Sequence, residues 1–287
     1  MKLGLNLSFA VKRFLEPEKL AHMCRHDFST DHVQFTWDLI DPWWPEELRD
    51  ELAIRYKEAF AEEGVHIDAT FGGLASYSYA HLLAPSREQR EAAFLFFKRA
   101  IDLTAVMGAK VMGTPVGGCP ARREERYEEM LGYVRRLASY GKERGLKEIH
   151  IEATPLITEF PHSPEVSVKM MKDLEGTDIP VKLLVDWGHA LYEPLLKEEA
   201  DIELWFGTCA PYIGSIHLQQ TDGQWDRHWD FTKEGIVTPE LIRSATAKAG
   251  LEDVMQYLEV VTIFEDDDDA VYDGMKKTMD YLHRELD

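Results

Sequence analysis

Four short segments carry residues whose type and placement suit chemistry. Glu148-Ile149-His150-Ile151-Glu152-Ala153-Thr154 alternates polar and apolar residues, and the stretches Val181 to Asp186, Ser215 to Gln219 and Met255 to Val261 set apolar neighbours beside Asp186, His217 and Glu259. Alternation with a period of two marks a strand with one buried face. In each segment the ionisable residue has apolar neighbours of the opposite parity: Ile151 beside Glu152, Val185 beside Asp186, Ile216 and Leu218 beside His217, Leu258 and Val260 beside Glu259. All four therefore sit on the parity turned away from packed helices. One glutamate at a strand end is most simply a surface carboxylate; four such residues on one parity form a set.

Three carboxylates and one imidazole make an oxygen-rich donor set, which suits Mn²⁺, Mg²⁺ or Co²⁺ better than a thiolate-bound structural zinc. Such a set can leave positions open for substrate oxygens, as catalytic sites do and closed structural sites do not. In Asp186-Trp187-Gly188-His189 the two polar residues are three apart, so a strand end and the turn after it deliver both to one mouth. Asp186 is assigned to the metal and His189 to a substrate oxygen; the plainer role for a turn histidine is to cap backbone groups.

Positioning these residues requires regular elements, and the whole chain alternates. Strands are expected at Leu3 to Ser8, His32 to Leu39, Val65 to Phe71 and Ala109 to Val116, before the four already named. Helical spacing of apolar residues fills the intervals, with Pro17 and Pro45 opening helices and Gly64 closing one. Eight strand–helix alternations imply parallel strands joined by right-handed crossovers. A closed barrel brings all strand ends to one mouth, whereas an open sheet spreads them out, and no G-x-G-x-x-G turn follows the first strand. The expected fold is α/β: a single (β/α)8 TIM barrel over residues 1–287, with the active site at its C-terminal mouth.

The totals agree. With 287 residues, 45% hydrophobic and 29% charged, the chain has material for a large core. Thirty-two basic residues against 52 acidic ones give a formal charge of −20. Nucleic acid and anionic membranes are disfavoured as partners, leaving small molecules. Cys24, Cys119 and Cys209 are odd in number and far apart, which fits a reducing compartment. The N-terminus lacks a signal-like apolar core and no uncharged run reaches the roughly 20 residues of a membrane span, so a cytoplasmic location is expected.

Glu152, Asp186 with Trp187-Gly188-His189, His217 and Glu259 at these spacings resemble the xylose isomerase-like TIM-barrel superfamily, nearest the ketose 3-epimerases of the tagatose 3-epimerase type. The resemblance covers nearly the whole chain. Weaker matches, from Gly72-Gly73-Leu74 to Leu82-Leu83-Ala84-Pro85, at Met107-Gly108-Ala109-Lys110 and at Phe160-Pro161-His162-Ser163-Pro164, resemble members acting on short ketose phosphates. The resemblance implies one divalent ion, Mn²⁺ ahead of Mg²⁺ or Co²⁺, bridging two adjacent oxygens of a sugar or sugar phosphate. Glu152 and Glu259 would then be catalytic as well as ligating, one removing the proton beside the carbonyl and the other returning a proton to the far face. Glu159 matches a glutamate that supports the histidine and the substrate, one residue further from Glu152 than the pattern has it. The pattern's arginine, six residues after the strand-seven histidine, is replaced by Gly223, and Arg227 or His228 would stand in for it.

Trp37, Phe71 and Trp187 either wall the pocket or belong to the core. The run Glu265-Asp266-Asp267-Asp268-Asp269 argues against a phosphate site after strand eight and reads as a solvated helix start. A phosphate would instead meet Arg227, His228 and Lys233, or Arg122 and Arg123. Strands five and eight lie three steps apart around the ring, so their glutamates approach a substrate from opposing sides, as inversion at C3 of a short ketose or ketose phosphate requires. Aldose–ketose isomerisation between C1 and C2, which needs one face, is the alternative, with a dehydratase of the same superfamily beside it. A metal-dependent endonuclease would want more histidines and a basic surface, and a non-catalytic barrel has no use for four convergent ligands. A homo-oligomer is left open.

Overall fold

Each alternating run forms a strand: β1 Lys2–Asn6, β2 His32–Thr36, β3 His66–Phe71, β4 Val111–Thr114, β5 Glu148–Ala153, β6 Val181–Asp186, β7 Ile213–Leu218 and β8 Met255–Leu258. The computed structural model describes residues 1–119 and 124–286, and within them the strands pair in parallel in chain order and close as a barrel. Closure is made by β1 on β8, with Lys2 opposite Met255 and Leu5 opposite Leu258. The helices are α1 Pro17–His22, α2 Glu46–Glu62, α3 Gly73–Ser76, α4 Arg87–Val106, α5 Tyr127–Glu143, α6 Pro164–Asp173, α7 Trp187–Ala190, α8 Glu193–Leu196, α9 Ile202–Cys209, α10 Pro239–Ala249 and α11 Asp268–Leu286. The short α3, α7 and α8 belong to loops at the C-terminal mouth. No described helix is long and apolar enough to cross a membrane.

Local sequence sets the helix ends. Ser86 and Gln89 form a capping box on α4, Ser163 caps α6 ahead of Pro164, and Thr238 caps α10 ahead of Pro239. Gly250 ends α10 at φ 69°, a left-handed conformation that favours glycine. Several strands are shorter than their alternation suggests. Leu7 and Ser8 belong to a 3₁₀ turn, β4 is confined to Val111–Thr114, and Glu259 lies just past β8. The ladder still reaches that position, because Glu259 N–H donates to Leu218 O at 2.8 Å.

Parity divides the barrel into two environments. Ile149, Ile151, Leu183, Val185, Ile216 and Leu218 face outward into a core completed by Phe97, Ile101, Met130, Trp205 and Phe206 from the helices. Trp187 belongs to this core and not to a pocket wall: it is fully buried, packs edge-on against Phe206 at 5.5 Å and donates its indole N–H to Gln256 Oε1 at 3.3 Å.

The interior is polar. His150 lies between Ser215 Oγ and Glu148 Oε2, each 2.8 Å from a ring nitrogen, and Lys182 Nζ reaches Glu148 Oε1 at 2.7 Å. Gly214 makes room for the ring, since a Cβ there would lie 2.4 Å from His150 Nε2. Burial pushes the Glu148 carboxyl up, but its bonds to His150 and Lys182 outweigh this and bring it down to about 2. A carboxyl lowered by folding contributes stability above its unfolded value, near 4.5, and loses that contribution as pH falls through the folded one. Discounted for partial exposure, the contribution is about 1–2 kcal/mol. Glu148→Gln should therefore lower urea-melt stability by about that amount at pH 7, with the gap to wild type narrowing once the pH drops below the unfolded value.

Candidate metal centre

Glu152 and Asp186 stand at the tops of β5 and β6, His217 stands near the top of β7 opposite Asp186, and Glu259 follows β8. One ligand atom from each lies within 4.8 Å of those from the other three. Glu152, Asp186 and His217 are 0% exposed and Glu259 is 4% exposed. Burying three carboxylates is strongly unfavourable unless donors or cations satisfy them.

The protein's own donors reach only some of the atoms. His217 Nε2 lies 2.7 Å from Gln34 Oε1, which also accepts from Asn6 Nδ2 at 2.6 Å. An amide oxygen only accepts, so Nε2 carries the proton and the Nδ1 lone pair is free to act as a ligand. Asp186 Oδ1 accepts from His189 N–H at 2.9 Å and Gln219 Nε2 at 2.8 Å, and Ser8 Oγ lies 3.4 Å from Glu259 Oε1. The remaining atoms converge: Glu152 Oε1 and Oε2, Asp186 Oδ2 and His217 Nδ1 are buried without a hydrogen-bond partner. His217 Nδ1 is 2.8 Å from Glu259 Oε2 and 3.3 Å from Glu152 Oε1, but lacks hydrogen-bond geometry to either. Orphaned buried polar atoms are rare in folded proteins, and here they gather at one point as hard oxygens with one imidazole nitrogen. The four residues fit a divalent cation.

Mutual electrostatics set the protonation. Burial raises the Glu152 carboxyl above its usual range, against the pull of His217 and His189. Burial also pushes Glu259 up, but the imidazoles of His217 and His228 more than reverse it and leave that carboxyl low. Burial works the other way on His217, and the charges of Glu259 and Glu152 overcome it, so the imidazole is held above its usual value.

Around the four stand further residues expected from sequence. His189, in α7, has Nδ1 3.2 Å from Ala153 O and 3.8 Å from Glu152 Oε1, and Nε2 3.2 Å from Asp226 Oδ2. Although burial disfavours its charge, Asp226 and Asp186 hold this ring well above the usual range. His228 comes to the same place, with Nδ1 3.4 Å from Glu259 Oε2. Buried Glu159 accepts from Thr154 Oγ1 at 2.9 Å, and its carboxyl, raised by burial, is drawn back by Thr154 and by the charge of His189. Phe71 sets its ring edge-on to His217 at 4.6 Å.

Arg227 is engaged elsewhere: Asp222 Oδ2 accepts from its Nε at 3.0 Å and Nη2 at 2.6 Å, and its guanidinium lies over Trp229. Lys233 is exposed, and Arg122 and Arg123 lie outside the described residues. The acidic run caps α11, with Asp267 Oδ1 accepting from the N–H groups of Asp269 and Ala270. Gln34, Gln219 and Asp226 were not anticipated. Gln34 carried the same parity signal as the ligands, between Val33 and Phe35, but an amide does not announce a metal site.

The profile of the family described as Xylose isomerase-like TIM barrel matches residues 27–282. The chain belongs to that family. Among solved structures, a Rhodospirillum rubrum protein provisionally named a xylose isomerase is 46% identical, with TM-score 0.96 and 99% of each chain covered. D-psicose 3-epimerase of Clostridium cellulolyticum, solved with D-tagatose, is 14% identical at TM-score 0.77 with both chains fully covered, and 3-keto-D-glucoside 4-epimerase of E. coli is 13% identical at 0.70, covering 97% of this chain and 98% of its own. At those identities the likeness is one of fold. No curated protein matches the sequence.

Two measurements test the centre. A chelator should lower the thermal midpoint and Mn²⁺, Mg²⁺ or Co²⁺ restore it, since an ion at 100 times its dissociation constant stabilises by about 2.7 kcal/mol. Gln34→Leu, which frees the His217 tautomer without removing a ligand, should weaken Mn²⁺ binding about 10- to 100-fold by calorimetric titration.

Proposed function

We propose that this protein is a divalent-metal-dependent sugar epimerase, inverting C3 of a ketose or ketose phosphate, with Glu152 and Glu259 exchanging protons on opposite faces of the substrate. The observation that carries this reading is the convergence of unpartnered buried ligand atoms from β5, β6 and β7, with Glu259 beside them from β8. When bound, a divalent ion there would polarise the carbonyl and stabilise negative charge developing on the substrate oxygens. Glu152 and Glu259 are placed three strands apart around the ring, so their carboxylates address a substrate over the mouth from different sides. One takes the proton beside the carbonyl and the other delivers one to the opposite face. His189 turns its Nε2 proton from Asp226 Oδ2 to a substrate oxygen and orients it, with the Glu159 carboxyl close enough for the two charges to interact. Membership of a family with sugar isomerase and epimerase neighbours supports the reaction class.

Isomerisation between C1 and C2 is the second reading, favoured by the provisional name of the 46% identical Rhodospirillum relative. It needs one carboxylate to shuttle a proton along one face.

A panel of free and phosphorylated ketoses in D₂O, read by NMR, separates the two. Deuterium at C3 with inverted configuration is expected; deuterium at C1 or C2 with an aldose product would replace the first reading with the second. Glu152→Gln and Glu259→Gln should each reduce turnover at least about 100-fold while the folded baseline in circular dichroism is kept. Near-normal turnover by Glu259→Gln would end the two-carboxylate scheme.

A further inference from the structure

Beside the mouth, a cavity of about 710 Å³ opens between the loops after β1, β2, β3 and β8 and helix α4. At about 30 Å³ per water it holds roughly two dozen waters, room for a ring beyond a short ketose. Its walls include Trp37, Trp43, Trp44, Tyr79, Phe96 and Phe264. Several are exposed despite their size: Trp43 44%, Tyr79 67% and Phe264 54%. Such a cluster at a cleft marks a binding surface.

Three observations identify the occupant's chemistry. Trp37 is 3% exposed, yet its indole N–H has no hydrogen-bond partner. A buried donor left unpaired is destabilising, and because this one is enclosed a ligand oxygen reaches it only if the cavity wall shifts. The charged lining residues are Asp38 and Asp41, and no Lys or Arg lines the cavity among the described residues. Lys12 and Arg99 lie against the rings of Phe264 and Trp43 from outside the lining. Both carboxylates accept backbone N–H bonds, Asp38 from Leu74 and Ala75 and Asp41 from Trp43, which fixes them with further lone pairs for hydroxyl donors. A phosphate here would meet two carboxylates and no Lys or Arg of the lining.

The cavity adjoins the metal centre. The backbone N–H of Trp37 donates to Phe71 O at 2.9 Å, and the Phe71 ring touches His217. The Asp38 carboxyl is raised chiefly by burial, with the charge of Glu259 adding to the effect, so the cavity's acid and the site's carboxylate feel one another.

We propose that this cavity binds a second, uncharged sugar ring, so that the substrate is a keto-sugar carrying a glycosidic partner and not a short ketose phosphate. Aromatic faces cover the apolar C–H face of the ring, while the two carboxylates accept from its hydroxyls. The inference rests on the epimerase reading for the reaction and on the cavity alone for the ligand.

The test joins binding to turnover. Methyl β-D-glucopyranoside, which has no ketone, should quench tryptophan fluorescence saturably, and Trp37→Phe and Trp43→Ala should each weaken that binding at least about fivefold. In the D₂O assay, isomaltulose, a fructose bearing glucose at O6, should exchange at C3 with kcat/KM at least about tenfold above fructose and fructose 6-phosphate. Both variants should narrow that preference; Trp43, being exposed, can be replaced without disturbing the core. Glucoside binding with no exchange from any ketose would leave the cavity assignment standing and remove the epimerase reading. Exchange without glucoside binding, or a preference for fructose 6-phosphate, would overturn the cavity assignment alone.

Discussion

Three buried carboxylates sharing one small volume repel one another, and the upper barrel is built around that repulsion. At separations up to 4.8 Å and an effective dielectric near 20, each like-charge pair costs about 3–4 kcal/mol. With all three ionised the pairs would cost about 9–12 kcal/mol, as much as the roughly 5–15 kcal/mol that holds a whole domain folded. Positive charge must enter, and the surroundings show from where. Glu259 and Glu152 hold His217 above its usual range, while Asp226 and Asp186 do the same for His189. Gln34 and Gln219 then choose which atoms face the centre by occupying the others. A dication answers the same demand with one particle and leaves the histidines neutral enough to ligate or donate.

This arrangement needs a scaffold that resists collapse, and the barrel supplies it by dividing polar work between layers. Low in the interior, the Glu148, His150, Ser215 and Lys182 contacts satisfy each other internally. High in the interior, unpartnered atoms accumulate. Leu184 and Gly113 lie between the layers, with a Cβ on Gly113 only 3.5 Å from Leu184 Cδ1. That division matches the general separation of stability at the N-terminal face from chemistry at the C-terminal face of such barrels.

The parity of polar residues in the sequence made the barrel and the cluster of Glu152, Asp186, His217 and Glu259 legible, because a period of two converts directly into inward and outward faces. The same rule could not locate strand ends: Glu259 reads as part of a strand, but β8 ends at Leu258 and only the Glu259 N–H keeps a bond to its neighbour β7. Nor could it sort aromatics at the mouth. Trp187 and Trp37 both follow strand ends, yet the first turns outward onto Phe206 and the second lines a cavity. Tertiary packing decides that, not local pattern. The amides of Gln34 and Gln219 were hidden for a different reason: their role exists only once His217 and Asp186 have been placed beside them.

Loop seven shows how one backbone constraint redirects chemistry. Where the epimerase-like pattern has an arginine, Gly223 stands at φ 71°, and a Cβ there would lie 3.1 Å from Leu191 O and 3.0 Å from Ile236 Cδ1. Its carbonyl also accepts Glu193 N–H at 2.9 Å, locking the turn to α8. A side chain at this position would be strained as well as crowded. The loop therefore runs on, ties Arg227 to Asp222, and folds back through an antiparallel bridge between Gln220 and Trp229. That return carries Asp226 to His189 and His228 to Glu259. The cation delivered to the mouth is thus a titratable imidazole paired with a carboxylate, where a guanidinium would have been permanently charged.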